Sequence, residues 1–523
     1  MDLPPFHGHG RDLSERTDLV MNDNAHTVPD HEIVIVGAGF SGIGAAIGLG
    51  KAGIDNYLIV EQGHGFGGTW YWNTYPGVAV DIPSFSYQFS FEKRSNWSRV
   101  YAPGRELRDY AEDCAARYRL HPKTRFGTTI TSATFDDELH LWRIEIADGA
   151  PILARHLIDA TGVLTQPRKP EIEGVDDFTG QTMHTARWDH SQDLRGKRVG
   201  IIGTGASAVQ IIPEIAPDVG HLTVFQRTPI WCLPKPDVAL PALVRGVLGA
   251  IPGLQTLTRW ASQAFVEVTF PLAVHYGHLN PFMSSFESKA RSYLRRQVRD
   301  PALREKLTPR YTIGCKRPAF HNEYLATYNR ANVTLETTPI DRVAPDSVTT
   351  RDGREHGIDV LILATGFKVF EADNMPPFPV TGREGTDLGK FWTDNRHQAY
   401  EGVSVPGFPN YFLMLGPYAY NGSSYFNLIE TQTAHIVRCI RHARDKRATL
   451  IEVTPEANDR YFAEMLHRRR HQVFWQDSCR TANSYYFDIN GDVPFRPATT
   501  PETVWRSTRF PLTDYQLTPA ATG

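Results

Sequence analysis

Ile33-Val34-Ile35-Val36-Gly37-Ala38-Gly39-Phe40-Ser41-Gly42 is the stretch whose reading decides the fold class. Its four β-branched residues read as a parallel strand buried on both faces, and the Gly-x-Gly-x-x-Gly after them opens a helix. Gly37 permits the tight turn, Gly39 lets a pyrophosphate approach the backbone, and Gly42 lets helix and strand pack closely. Alone, such a turn is also met where packing is its only purpose. Here a second strand, Tyr57-Leu58-Ile59-Val60, ends at Glu61, 24 residues after Gly37. A carboxylate there takes both ribose hydroxyls and repels a 2′-phosphate, so the first turn suits the ADP half of FAD rather than NADPH.

The same plan recurs downstream. Val199-Gly200-Ile201-Ile202 leads into Gly203-Thr204-Gly205-Ala206-Ser207-Ala208, a Gly-x-Gly-x-x-Ala variant that still leaves a helix N-terminus free for pyrophosphate. The next strand, Leu222-Thr223-Val224-Phe225, runs into Gln226-Arg227-Thr228, where a guanidinium replaces the carboxylate. Taken alone Arg227 is a solvated loop residue; at this place it clamps a 2′-phosphate, which selects NADPH over NADH. Two strand exits, Asp159-Ala160-Thr161-Gly162 and Leu363-Ala364-Thr365-Gly366, repeat the duplication once more.

The expected fold is therefore α/β, with two Rossmann-like dinucleotide-binding domains. Residues 30–168 and 398–523 are assigned to the FAD domain, and 169–236 and 313–397 to the NADP domain. A helical insertion occupies 237–312 and a mobile tail 1–29. Within the insertion, 240–275 is read as a substrate-covering helical subdomain in preference to an amphipathic membrane-surface segment. One long helix is expected over 425–445 and an extended Pro/Thr arm at the C-terminus. The pocket lining is expected from loops around 371–380, 418–426 and 480–490 and from the insertion; the aromatic run Tyr418 to Phe426 suits a hydrophobic ligand.

A length of 523 residues suggests two or three domains, and a formal charge of −3 announces no polyanion surface, which sets nucleic acid aside as a partner. Cys114, Cys232, Cys315, Cys439 and Cys479 form no CxxC and keep no ligand spacing with histidines, so neither a disulfide framework nor a metal site is expected, and a reducing cytoplasm follows as the compartment. No apolar run reaches the roughly 18 residues of a spanning helix, and no motif sets an oligomeric state.

Two longer patterns carry a resemblance. Phe178-Thr-Gly180-Gln-Thr-Met-His184-Thr-Ala-Arg-Trp188-Asp189 resembles the Baeyer–Villiger monooxygenase signature FxGxxxHxxxW followed by Pro or Asp, and Gly67-Gly68-Thr69-Trp70-Tyr-Trp-Asn-Thr-Tyr75-Pro76-Gly77-Val-Ala-Val-Asp81 matches a second pattern of that family. With the two turns, the resemblance covers roughly residues 30 to 500. It implies FAD and NADPH as cofactors, O2 and a ketone as substrates, and ester or lactone as product through a C4a-peroxyflavin, with sulfoxidation as a side activity.

The resemblance also implies roles. Gly314-Cys315-Lys316-Arg317-Pro318 makes Arg317 the catalytic arginine and places Lys316 with Arg227 and Thr228 at the 2′-phosphate. Asp81 orients and balances Arg317, and Thr69, Trp70, Asp81 and Tyr87 border the flavin. His184 and Trp188 couple the domains rather than react. Without the resemblance, Lys316 and Arg317 would read as a solvated basic pair, Asp81 as a loop cap, His184 as structural and Trp188 as a core anchor. The chain departs from many relatives at Asn483-Ser484-Tyr485, where they carry Asn-Ser-Trp. Three competitors remain: an N- or S-oxygenating flavin monooxygenase, a flavin-binding sensor without turnover, and a pyridine nucleotide:disulfide reductase, which lacks its CxxC relay here.

Overall fold

A computed structural model describes residues 28–275, 280–371 and 373–519. The tail expected over 1–29 lies outside them apart from Val28 and Pro29. Strand His31–Val36 pairs in parallel with Tyr57–Val60 on one side and Ile152–Asp159 on the other. Thr124–Arg125 extends the set beyond Tyr57–Val60, and Tyr411–Leu413 adds to the far end of Ile152–Asp159. Alternation along the first strand serves two cores. Ile33 and Ile35 pack with Ile43, Ala46, Ile429 and Ile436 of helices Phe40–Lys51 and Tyr425–Asp445. Val34 and Val36 face Trp142 and Ile144 of an antiparallel layer. A strand covered on both faces has no solvent side to make polar, which is why the sequence there is continuously apolar.

The second sheet is 5-stranded and parallel, in the order Val333–Glu336, His221–Phe225, Arg198–Ile202, Val360–Leu363, Gln181–His184. The α/β reading with two Rossmann-like units stands. The chain passes between the sheets twice, and the two crossings lie side by side: Arg168 N–H donates to the Gly366 carbonyl at 2.8 Å and Lys368 N–H to the Gln166 carbonyl at 3.1 Å.

Several expectations are corrected. The boundary drawn at 397 falls too late, because Val380–Thr381 pairs with Ala133–Thr134 and Phe378, Leu388 and Trp392 fill the core of the first sheet. The C-terminal arm is instead a helix, Thr500–Arg509, followed by a strand, Tyr515–Pro519, paired with Ala448–Val453. Thr499 caps that helix by accepting the Glu502 N–H, and Pro501 occupies its first turn, so the Pro/Thr composition marks a helix start. Cys315 and Cys479 form a disulfide with Cα atoms 5.0 Å apart, while Cys114, Cys232 and Cys439 are free and buried. A separation of 164 residues gives no spacing motif to read. The pairing also removes the argument from cysteine usage for a reducing compartment.

The insertion is helical as expected: Ala242–Ala250, Leu254–Thr269, Pro271–His275, Asn280–Gln297 and Pro301–Lys306. Among the described residues no helix is long and apolar enough to cross a membrane.

Candidate active site

A cleft of about 1540 Å³ runs along the C-terminal ends of the parallel strands of both sheets. That exceeds the roughly 300–1,000 Å³ of a single-ligand pocket and has room for two dinucleotides. Gly37 and Gly39 of the first turn and Gly203, Thr204, Gly205, Ala206 and Ser207 of the second border it. Gly42 and Ala208 lie behind the turns and pack.

The two turns are held differently. A Cβ at Gly37 would sit 2.7 Å from the Ala160 carbonyl oxygen, and the residue has φ +106°, so both space and backbone demand glycine. A Cβ at Gly205 would meet nothing within 4 Å: its flank opens onto the cleft at the start of helix Ala206–Ile215, a cradle an anion can enter. Glu61 is buried at the end of its strand and accepts the Ala38 N–H at 2.8 Å and the Gly63 N–H at 2.7 Å. Each oxygen keeps a lone pair for a ribose hydroxyl. The residues therefore fit a flavin adenine dinucleotide at the first turn.

Around the second turn the charge is reversed. Arg227 is exposed at the cleft edge, and the Thr228 carbonyl accepts the Thr204 hydroxyl at 2.9 Å. Lys316 borders the same space; burial, then the nearby Arg227 guanidinium, push its ammonium down to about 8. Two cations with no carboxylate bridging them among the described residues fit a phosphate, and so a 2′-phosphorylated nucleotide.

Between the turns Arg317 donates from Nε to Asp81 Oδ2 at 2.6 Å and from Nη2 to Oδ1 at 2.8 Å. The two side chains are 22% and 33% exposed, facing the cleft. Burial acts to raise the Asp81 carboxyl, but the Arg317 guanidinium overrides it and holds the group below the usual carboxylate range. Burial acts to lower Arg317, and Asp81 overrides that, so the guanidinium is kept charged. The loop carrying Asp81 is pressed onto the second domain: Tyr75 donates to Gln210 Oε1 at 3.0 Å, and Gln210 Nε2 to the Ala79 carbonyl at 2.9 Å.

Thr69 and Trp70 open the short helix Thr69–Trp72, and Trp70 Nε1 donates to the Tyr87 hydroxyl at 3.3 Å, with all three bordering the cleft. Tyr485 also borders it, 44% exposed, its ring 4.7 Å from that of Tyr486. His184 does not border it. The histidine ends the edge strand of the second sheet, its Nδ1 accepting the Ala186 N–H at 3.0 Å, and burial pushes its pKa down to about 4. Gly180 of the same signature has no space for a side chain, since a Cβ would sit 2.5 Å from the Asp359 carbonyl oxygen. The signature is thus a packed strand and turn between the domains.

The expected loops do line the cleft, through Phe378, Tyr420, Tyr425 and Asn483–Ile489, but no described residue of 237–312 does. The insertion packs on the outside of the 418–427 loop instead. The sequence assigns no individual role to Tyr420 and Tyr486, which stand close enough to Arg317 to act on it electrostatically, or to Tyr425, whose hydroxyl meets Ser41 Oγ at 3.0 Å. The aromatic run flags the loop of Tyr420 and Tyr425, and the 480–490 loop holds Tyr486, but no spacing rule ties either loop to Arg317.

A family model described as pyridine nucleotide-disulphide oxidoreductase matches residues 34–245. In that stretch Cys114 and Cys232 are free, so the match reflects the dinucleotide plan and not a dithiol relay. A protein of Pseudomonas aeruginosa named Baeyer-Villiger monooxygenase is 36% identical over 472 residues, 90% of this chain and 88% of that protein. The chain belongs to the Baeyer–Villiger monooxygenase family. Solved structures agree. OTEMO in complex with FAD and NADP superposes with a TM-score of 0.83 at 28% identity, covering 94% of this chain and 99% of that one. Cyclohexanone monooxygenase from Rhodococcus sp. Phi1 bound to NADP+ gives 0.82 at 29% identity, covering 94% and 99%. For a Baeyer–Villiger monooxygenase, a cleft shared by an acidic-ended and a basic-ended turn is the expected frame.

Proposed function

We propose that this chain converts an apolar ketone, with O2, NADPH and a proton, into an ester or lactone, NADP+ and water, and that Arg317 is its catalytic residue. The observation that carries this is the bidentate Arg317–Asp81 pair set between the two nucleotide turns. When bound, FAD supplies oxygen activation and NADPH the reducing equivalents.

The protein's own part is binding, charge and exclusion of water. Gly37 and Gly39, with Glu61, would hold the flavin nucleotide, and Thr69, Trp70 and Tyr87 would border it. Gly203 to Ser207 receive the second pyrophosphate, and Arg227, Thr228 and Lys316 the 2′-phosphate. Asp81 occupies two N–H groups of Arg317 and fixes the plane of the guanidinium; the remaining N–H groups face charge that develops on oxygen as the carbonyl is attacked. Because Asp81 keeps Arg317 charged, the positive charge is present throughout turnover. Tyr485 presents an aromatic face with an added hydroxyl where many relatives carry Trp, which affects nicotinamide contact and substrate range rather than the reaction.

Arg317→Ala tests the role. Flavin reduction by NADPH should proceed, followed in stopped-flow at the flavin absorbance, while ester formation by mass analysis falls by about 10²–10³ or more. Ketone turnover at the parent rate would refute the assignment.

A further inference from the structure

Helix Leu254–Thr269 is built inside out. Its exposed face carries Leu257, Trp260, Ala261, Ala264, Phe265 and Val268, with Trp260 71% and Leu257 66% exposed. Its longer polar side chains Arg259, Gln263 and Glu267, and Ser262, point the other way and are spent on the protein body. Arg259 Nη2 donates to Asn427 Oδ1 at 3.0 Å, Ser262 Oγ bonds Ser86 Oγ at 3.0 Å, Gln263 Nε2 donates to Ser423 Oγ at 2.7 Å, and Glu267 accepts the Thr500 N–H at 2.9 Å. The preceding helix, Ala242–Ala250, packs beside it and continues the surface with Leu243, 79% exposed, and Ile251 at the turn between them, 50% exposed. Apolar side chains scattered singly on a surface need no explanation; a contiguous face covering two helices marks a contact.

We infer that this face is a monotopic membrane seat, with the two helices lying in the plane of a bilayer and their outer side chains in the acyl layer. Three observations favour lipid over a second copy of the chain. The exposed face of Leu254–Thr269 offers only the Thr256 hydroxyl and the Trp260 Nε1–H for hydrogen bonding, whereas a protein interface of ordinary size carries about ten direct hydrogen bonds. The charged side chains of that helix, Arg259 and Glu267, turn inward, which leaves an uncharged surface matched to an uncharged phase. Trp260 stands on the exposed face, the residue suited to the boundary of headgroups and acyl chains. At 9 and 16 residues the helices are shorter than the roughly 20 needed to span, so they lie on the membrane.

The seat is rigidly joined to the cleft. Ser423 and Asn427, held by Gln263 and Arg259, flank the Tyr425 loop, and Ser86 precedes Tyr87. The helix ends at Phe270, whose ring packs on Gly422 with no space for a Cβ there and lies 5.8 Å from the Arg317 guanidinium carbon. The membrane face is thus the outer side of the cleft wall.

Flotation of the full-length flavoprotein with phosphatidylcholine vesicles tests the inference and needs no turnover. The parent protein should float with the vesicles, and high salt should not release it, because the face is uncharged. Leu257→Asp combined with Trp260→Asp should weaken partition at least roughly tenfold, and Ala264→Glu, a milder change on the same face, should weaken it too, both with unchanged thermal melts. Failure of the parent to float, or flotation that salt abolishes, would overturn the inference. So would a parent dimer by light scattering that Ala264→Glu converts to monomer without any vesicle binding, which would assign the face to a second copy.

Discussion

Lys316 and Arg317 are adjacent in sequence yet sit in opposite electrostatic surroundings. Arg317 is answered by Asp81 and its charge is secured. Lys316 has no ion-pair partner among the described residues, and burial with Arg227 lowers it to about 8. Folding therefore holds a cation under strain at the second turn, and a phosphate relieves it. The sign of the pH effect follows. Below about 8 the ammonium is charged before the nucleotide arrives; above it, binding must first recruit a proton. NADPH affinity should fall as pH rises from 8 toward 10, approaching tenfold per pH unit, while NADH affinity stays flat. Isothermal titration across that range checks this, and Lys316→Met should abolish the slope. Equal pH profiles for the two nucleotides would place Lys316 away from the 2′-phosphate.

At the scale of elements, the disulfide joins the short segment around Gly314–Pro318 to the turn Asp477–Thr481 that leads into Asn483–Phe487. One end is next to Lys316 and Arg317 and the other next to Tyr485, so the bond ties two walls of the cleft. Cys479→Ser should cost about 2–4 kcal/mol, the usual contribution of a cross-link closing a long loop. A reductant should lower the melting temperature of the parent and leave that of the variant unmoved; a parent insensitive to reductant sinks the idea. The glycine turns show how much of an element is legible. Gly37 and Gly42 announce their turn because the chain around them leaves no room for a side chain. The helix Leu254–Thr269 is legible as a helix, but periodicity is the same whichever face turns inward, so which face meets the protein is decided by the tertiary structure.

For the whole molecule, the active arrangement depends on contacts between domains. Asp81 rides on a loop of the first unit, and Gln210 of the second holds that loop through Tyr75 and Ala79. Gln210→Ala should remove two hydrogen bonds worth about 1 kcal/mol each, leave both nucleotides bound, and raise the share of NADPH oxidised without ester. Comparing NADPH consumed with product formed measures it, and an unchanged ratio would mean that Asp81 reaches Arg317 without this clamp.

The sequence by itself determined the two strand–turn–helix units, the acidic and basic ends of their second strands, and the helical character of the insertion, because each depends on residues within one local stretch. Asp81 and Arg317 lie 236 residues apart, and only the resemblance joined them before the structure did. Cys315 and Cys479, Tyr420 and Tyr486 beside Arg317, the place of Phe378 to Trp392 on the first sheet, and the outward face of Trp260 were decided by the tertiary structure alone. Each is a contact between distant segments, and no local pattern encodes which distant surface a side chain will meet.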